Sequence, residues 1–365
     1  MSIAPSASQP VSIAPAHLKR FITQALQVCG LPQEDAEGVA ALMVEADVIG
    51  ADAHGVFRLP QYVKRLKAGG VNARPTIRVE TTGAATALVD GDNGMGHLVM
   101  RQAAEKAVSL AQASGVGWVG VRRSNHAGPA ALYASIPMKA GMIGIYSAVA
   151  SANHMGIWGG SEPLLGTNPL AVAIPAGKAA PVVLDIATTM VSYGTIKSYA
   201  LNGKTLPEGW LIERDTGKPL TDPNRSNEGL LEPIGGYKGS GLALVLGLLA
   251  GTLNGAAFGR DVVDFNADAS SETNTGHFII ALDIARFMPL AGFGEEMDRQ
   301  IASLSASSRM EGIDTIRLPG AERLRRIQTR ERDGVPLPAP LLRNLDQLAQ
   351  DLAIGPLPRD QATSA

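Results

Sequence analysis

Three observations predict a mixed α/β fold. Apolar residues recur at helical spacing near both ends of the chain, and short β-forming runs alternate with helical ones through its middle. The third is size: 365 residues at 45% hydrophobic content are enough for two or three packed layers or two domains. The stripe Leu18, Phe21, Ile22, Ala25, Leu26 predicts a helix over 15–28 that stops at Gly30, and a second helix follows over 33–48. After Gly69-Gly70 the texture changes, which places a boundary near residue 71. Strands are expected at 77–80 and 86–90, then a helix over 97–113, a strand at 118–121, a helix over 130–139, and strands at 142–148, 171–174 and 182–186. WLIERDTGKPL at 210–220 reads as a hairpin around 215–218. Residues 321–332 form a charged helix and 341–352 an amphipathic one, with the proline-punctuated VPLPAP between them.

The uncharged stretch 239–259 carries GxxxG spacings through Gly247, Gly251, Gly255 and Gly259, flanked by Lys238 and Arg260. It also holds Ser240, Thr252 and Asn254 and is the one such stretch in the chain, so it reads as a buried core helix rather than a membrane span. With 32 basic against 34 acidic residues the formal charge is −2, and no long basic block provides the footprint of a nucleic-acid binder. The single cysteine, Cys29, continues the first apolar stripe and is expected to pack in the core; an intrachain disulfide is impossible. The first fourteen residues lack the basic start and apolar run of a secretory signal, which fits a reduced, cytoplasmic setting.

Chemistry concentrates in a few places. In ADAHGVFRLPQY, His54 and Arg58 stand four residues apart, with Tyr62 one helical turn beyond. Arginine offers a planar charged fork to a carboxylate and histidine can exchange a proton, so the pair suggests a clamp for a small acid. These residues alone equally allow a surface arginine beside a capping histidine. SNHAGP at 124–129 follows a strand and precedes a helix, placing His126 on a loop as a second proton carrier, with a helix-capping role as the alternative. His17, His97, His154 and His277 read as structural or solvent-exposed, and the absence of HExxH spacing or a Cys/His cluster argues against a tightly held metal. PIGGYKGSGL at 233–242 could present backbone amides and Lys238 to a phosphate, or could simply be a tight turn with a solvated lysine. GTNP at 166–169 and DIATT at 185–189 are similarly open, and neither a Walker loop nor a GxGxxG follows any predicted strand.

Taken in order, DAHGVFRLPQY, SNHAGP, LLGTNPLA, LDIATT, GGYKGSGL and LPGAE resemble the malate/L-lactate dehydrogenase family, which also holds ureidoglycolate dehydrogenase and cyclic-imine carboxylate reductases; the likeness spans roughly residues 15–350. The resemblance implies a nicotinamide-dependent enzyme with a non-Rossmann cofactor fold, a largely antiparallel sheet and a homodimer with active sites near the subunit interface. With the change of texture near residue 71, the chain is expected to divide into a helical substrate and dimer region at 15–70, a cofactor-binding sheet domain at 71–309 and C-terminal helices at 310–355 returning to the N-terminal region, with disordered tails at 1–14 and 356–365. By the same resemblance His126 matches the proton acceptor, while Arg58, His54 and Tyr62 match the substrate-binding positions. Ser151, Thr167, Asp185, Ile186, Ala187, Lys238, Gly320, Ala321 and Glu322 match positions that contact the dinucleotide. Ala53 stands where many relatives carry Ser or Thr, which bears on substrate identity. The expected reaction moves hydride between NAD, or NADP, and a small 2-hydroxy acid without a metal. The alternatives are NADPH-dependent reduction of a cyclic imine 2-carboxylate of the piperideine or pyrroline type, and ureidoglycolate oxidation.

Overall fold

The computed structural model describes residues 10–359, which divide into two compact units. The first, helical unit takes residues up to 68 together with those from 322 onward; the second takes residues 69–321. Part of each expected tail, residues 1–9 and 360–365, lies outside the described residues.

In the helical unit a short strand β1 (Val11–Ile13) precedes α1 (Pro15–Val28), α2 (Gln33–Val48) and α3 (Leu59–Ala68). The stretch expected to be a tail therefore contributes a strand. The five apolar residues of the α1 stripe are all buried, and Pro15 sits in the first turn, where its missing N–H costs nothing. Cys29 corrects the reading of that stripe. It lies just past the end of α1 and is half-buried, because the helix closes at Val28 and Gly30 turns the chain away with φ +98°. Two 3₁₀ turns, Asp52–His54 and Val56–Arg58, join α2 to α3, and Pro60 is accepted in the first turn of α3.

The second unit runs β2 (Arg78–Gly83), β3 (Thr86–Asp90), α4 (Gly96–Ser114), β4 (Val116–Ser124), α5 (Ala130–Lys139), β5 (Met142–Ala148), β6 (Leu170–Ile174) and β7 (Val182–Ile186). It continues through α6 (Tyr193–Leu201), β8 (Leu211–Glu213), β9 (Gly229–Leu231), α7 (Tyr237–Ala250), β10 (Thr275–Asp283) and α8 (Leu290–Ser305). Seven strands form one sheet in the order β2-β3-β4-β10-β5-β6-β7. Every pair is antiparallel except β3 with β4, which α4 connects as a crossover. The period of two divides β10 cleanly. His277, Ile279 and Ala281 share the face that carries Tyr146 and is covered by α4 and α5, while Phe278 points to the other face, stacks on Trp118 and packs under α7. The chain then re-enters the helical unit through α9 (Ala321–Asp333), β11 (Val335–Leu337) and α10 (Ala339–Asp351), with β11 pairing antiparallel to β1.

One further expectation needs correction. The single helix over 239–259 is instead the 14-residue α7 followed by a 3₁₀ turn at Thr252–Asn254. The Asn254 side chain donates to the carbonyls of Ala250 (2.7 Å) and His277 (3.0 Å), satisfying the end of the helix and stopping it there. Nor is α7 wholly buried, since Val245 and Leu248 are exposed. Among the described residues no helix is long and apolar enough to cross a membrane. The 210–220 segment forms the expected hairpin: the Glu213 amide donates to the Lys218 carbonyl and the Leu220 amide to the Leu211 carbonyl, both at 2.9 Å, with an antiparallel bridge between Ile212 and Pro219, and β8 also pairs with β9.

Candidate active site

One end of the central sheet collects most of the residues singled out from the sequence. Register places Ser124 opposite Thr275, His277 opposite Ala148, Ser147 opposite Leu170 and Leu170 opposite Ile186. The loops that leave or enter these strands therefore emerge together. They are also tied to each other. Thr188 donates its amide to the Thr167 carbonyl at 2.9 Å, Ile234 donates to the Thr188 carbonyl at 3.0 Å, the Ala150 amide reaches Asn168 Oδ1 at 3.0 Å, and Asn168 Nδ2 reaches the Ala243 carbonyl of α7 at 2.8 Å. Ser151, Thr167, Asp185, Ile186, Ala187 and the glycine-rich entry to α7 thus share one rim with His126.

His126 owes its position to devices that local sequence does not announce. The ladder between β4 and β10 slips by one residue between Thr275 and His277, leaving an extra residue on β4, and Arg123 takes the left-handed region with φ +49°. The Arg123 amide donates to Asn274 Oδ1 at 2.7 Å, stabilising that bulge. Next along the chain, the buried Asn125 amide group donates to the carbonyls of Asn93 and Gly94 and to Asn93 Oδ1, while its Oδ1 accepts from Thr273. Gly96, the first residue of α4, packs so close that a Cβ would lie 2.1 Å from the Asn125 carbonyl and 2.7 Å from that of His126. The loop is therefore held on both sides by backbone contacts that a larger residue would break. The His126 ring is half-buried, stacks on Phe265 with centroids 5.3 Å apart, and accepts the Gly128 amide at Nδ1 over 3.4 Å. Phe265 in turn donates its amide to the Ser151 carbonyl at 2.9 Å.

Asp185 projects from β7 to the start of α5, where its Oδ2 accepts the Ala131 amide at 3.0 Å, a favourable place for a carboxylate at a helix N-terminus. Beneath this rim lies a buried pair absent from the sequence reading of the site. The Tyr146 hydroxyl and His277 Nδ1 are 2.8 Å apart, and burial, reinforced by the charge of Asp185, pushes the Tyr146 phenol upward. Burial lowers His277 to about 3, the Asn125 carbonyl opposing. The folded protein keeps this ring neutral, whereas an unfolded histidine titrates near 6.5. Its contribution to stability is complete above that value and is lost as pH falls from 6.5 toward 3. A wild-type protein compared with His277→Gln in urea unfolding is expected to lose about 2 kcal/mol more between pH 6.5 and pH 5. Equal losses in the two proteins would remove the assignment.

Lys238 is exposed in the first turn of α7. Gly235 and Gly236 ahead of it both have positive φ, +61° and +67°, and a Cβ on Gly236 would approach the Trp158 ring to 3.2 Å. Gly320 lies beside the edge strand β7, where the Val183 amide donates to the Pro319 carbonyl at 3.1 Å, and Ala321 follows it at the start of α9. Glu322 pairs with Arg325 and Arg326 on its own helix.

His54, Arg58 and Tyr62 belong to the helical unit. Arg58 Nε donates to the Ala53 carbonyl at 2.8 Å and its guanidinium lies 5.6 Å from the centroid of the Phe57 ring, which fixes the direction of the fork. Burial pulls the arginine downward and pushes the neighbouring Tyr62 phenol upward, each tempered by the other. Desolvation, with the Arg58 charge adding, lowers His54 to about 4. His54 is therefore a neutral hydrogen-bonding group at physiological pH, which corrects its reading as a proton exchanger there; Arg58 supplies the positive charge. Among the described residues no group of three or more His, Cys, Asp or Glu could hold a metal ion.

A profile of the family described as malate/L-lactate dehydrogenase matches residues 13–346. The malate dehydrogenase of Pyrococcus horikoshii is 36% identical over 341 residues, covering 92% of this chain and 93% of its own. The solved structure of malate dehydrogenase from that organism superposes with a TM-score of 0.87 at 32% identity, covering 98% and 100% of the two chains. The L-sulfolactate dehydrogenase of Methanocaldococcus jannaschii is 35% identical over 342 residues (94% and 97%). A (2R)-3-sulfolactate dehydrogenase (NADP(+)) from Chromohalobacter salexigens is 33% identical over 300 residues (82% and 86%).

Proposed function

Because the chain belongs to the malate/L-lactate dehydrogenase family, we propose that it interconverts a small 2-hydroxy acid and the corresponding 2-oxo acid with a nicotinamide cofactor. The observation that carries this reading is the convergence of His126 and the glycine-rich entry to α7 on one end of the sheet. That entry suits an anionic dinucleotide. Two consecutive left-handed glycines leave the turn without side chains, the first turn of α7 exposes amides that a helix leaves without internal acceptors, and Lys238 adds a cation. Lys238 with the amides around it would hold phosphate, and Ser151, Thr167 and the Asp185–Ala187 stretch, on the same rim, would hold the remainder. Gly320, Ala321 and Glu322 are further contact positions. Bound there, NAD or NADP supplies the hydride acceptor or donor.

His126 exchanges the proton of the substrate oxygen. In the reduction the protonated ring gives its Nε2 proton to the carbonyl oxygen of a 2-oxo acid and is left neutral, and in the oxidation the neutral ring takes the hydroxyl proton back at Nε2. Arg58 holds the carboxylate through its fork, and neutral His54 and Tyr62 add hydrogen bonds. Ala53, lacking a hydroxyl, leaves the substrate side chain less constrained on that side. A homodimer in the cytoplasm completes the reading.

The test is a spectrophotometric screen at the nicotinamide absorbance. NADH and NADPH are each offered oxaloacetate, pyruvate, sulfopyruvate and the cyclic imine Δ1-piperideine-2-carboxylate, and NAD and NADP are offered ureidoglycolate. Oxidation of reduced cofactor with a 2-oxo acid is the expected result. Preference for the imine or for ureidoglycolate would move the protein to another branch of the family, and no turnover with any would overturn the proposal.

A further inference from the structure

Helix α2 ends its buried stripe of Ala36, Ala40 and Met43 on an acid, Asp47, whose surface is only 1% exposed. An acid in that place is expensive unless its oxygens find partners. Asp47 Oδ2 accepts the Val56 amide at 2.9 Å, reaching across nine residues to the turn that separates His54 from Arg58. Gly55 in that turn lies so near the carboxyl that a Cβ there would sit 1.9 Å from Asp47 Oδ1. From α9, Arg330 donates to the backbone carbonyl of Asp47 and to the carboxylate of Asp52, so the turn is held at its base as well. The last link is local: Arg58 N–H closes the second 3₁₀ turn on the Gly55 carbonyl at 2.9 Å, one residue from the amide that Asp47 holds.

We propose that Asp47 is a positioning residue for substrate binding: through the Val56 amide it sets the 52–58 turn, and with it His54 and Arg58, for the substrate carboxylate. The inference rests on the clamp reading of Arg58 given above. Burial pushes Asp47 up to about 8, with the Val56 amide opposing, Asp52 adding and Arg330 opposing, so the side chain acts at neutral pH as a neutral acceptor rather than as a charge. Asparagine keeps an acceptor oxygen in the same place and alanine does not, which separates positioning from mere occupancy.

The experiment measures KM and kcat for oxaloacetate, or for pyruvate or sulfopyruvate where the wild type reduces that acid faster, in Asp47→Ala, Asp47→Asn, Gly55→Ala and Arg58→Ala. NADH affinity by nicotinamide fluorescence and melting temperature are measured alongside. Asp47→Ala and Gly55→Ala are expected to raise KM at least tenfold with kcat changed less than threefold and NADH affinity unchanged. Asp47→Asn is expected to stay within about threefold of wild type in KM. Folded Asp47→Ala and Gly55→Ala proteins with wild-type KM, while Arg58→Ala has raised it, would overturn the role of Asp47 alone. Wild-type KM in Arg58→Ala would instead overturn the clamp. Failure of both Asp47→Ala and Gly55→Ala to fold would make Asp47 a stability residue and also overturn the proposal.

Discussion

His126→Ala is expected to lower kcat by roughly 10³-fold in either direction of the reaction while leaving cofactor affinity within about twofold. The expectation follows from what surrounds the ring. Its backbone is clamped by Gly96 and Asn125, one face lies against Phe265, and Nδ1 lies 3.4 Å from the Gly128 amide, so the ring that carries the proton is held in a fixed place. Truncation removes that proton carrier without disturbing the carbonyls that Asn125 holds or the turn that opens α7. Steady-state rates at saturating cofactor, with NADH binding followed by fluorescence, measure both quantities. A His126→Ala protein that turns over at a tenth of the wild-type rate or faster would show that the proton moves elsewhere. His126→Asn, which keeps a hydrogen-bonding group without a titrating one, is expected to be nearly as impaired.

Arg58→Ala is expected to reduce kcat/KM for the 2-oxo acid by roughly 10²- to 10³-fold, chiefly through KM. Two charge-assisted hydrogen bonds to a carboxylate are worth about 1.5–3 kcal/mol each, and their loss is only partly offset by water. Arg58→Lys is expected to recover less than a tenth of the lost efficiency. A point charge cannot reproduce the fork, and the Nε contact to the Ala53 carbonyl that aims it would be gone. The measurement is a titration of substrate at saturating cofactor, paired with a substrate analogue lacking the carboxylate. The wild type is expected to reject that analogue, and the alanine variant to discriminate little between the two. Equal losses for both compounds would mean that Arg58 supports the fold of the turn rather than the acid group.

Much of the fold was legible because its signals are local. The helices Pro15–Val28 and Gln33–Val48 bury the apolar residues whose spacing announces them, and Gly30 ends the first. The strands Thr86–Asp90, Met142–Ala148 and Val182–Ile186 are β-forming runs bounded by turn residues. The central strand Thr275–Asp283 is apolar on both faces, so no alternation in its sequence tells that it lies in the middle of the sheet. Its partners lie more than a hundred residues earlier in the chain. Helix Leu290–Ser305 went unread, although an amphipathic pattern was available there.

Residue types, order and motif spacing by themselves determined the chemical inventory: an arginine fork four residues after a histidine, an imidazole on a strand-to-helix loop, and a glycine turn leading to a lysine. Tertiary structure alone decided which of these groups are held and in what state. The acid at 47 meets an amide nine residues away, Asn125 bridges to a loop thirty residues earlier, and His54 and His277 are made neutral by the neighbours that exclude water from them. The reason is physical. A side chain's chemistry travels with its identity, but its hydrogen-bond partners and its access to solvent come from segments distant in the chain, and those exist as neighbours only after packing.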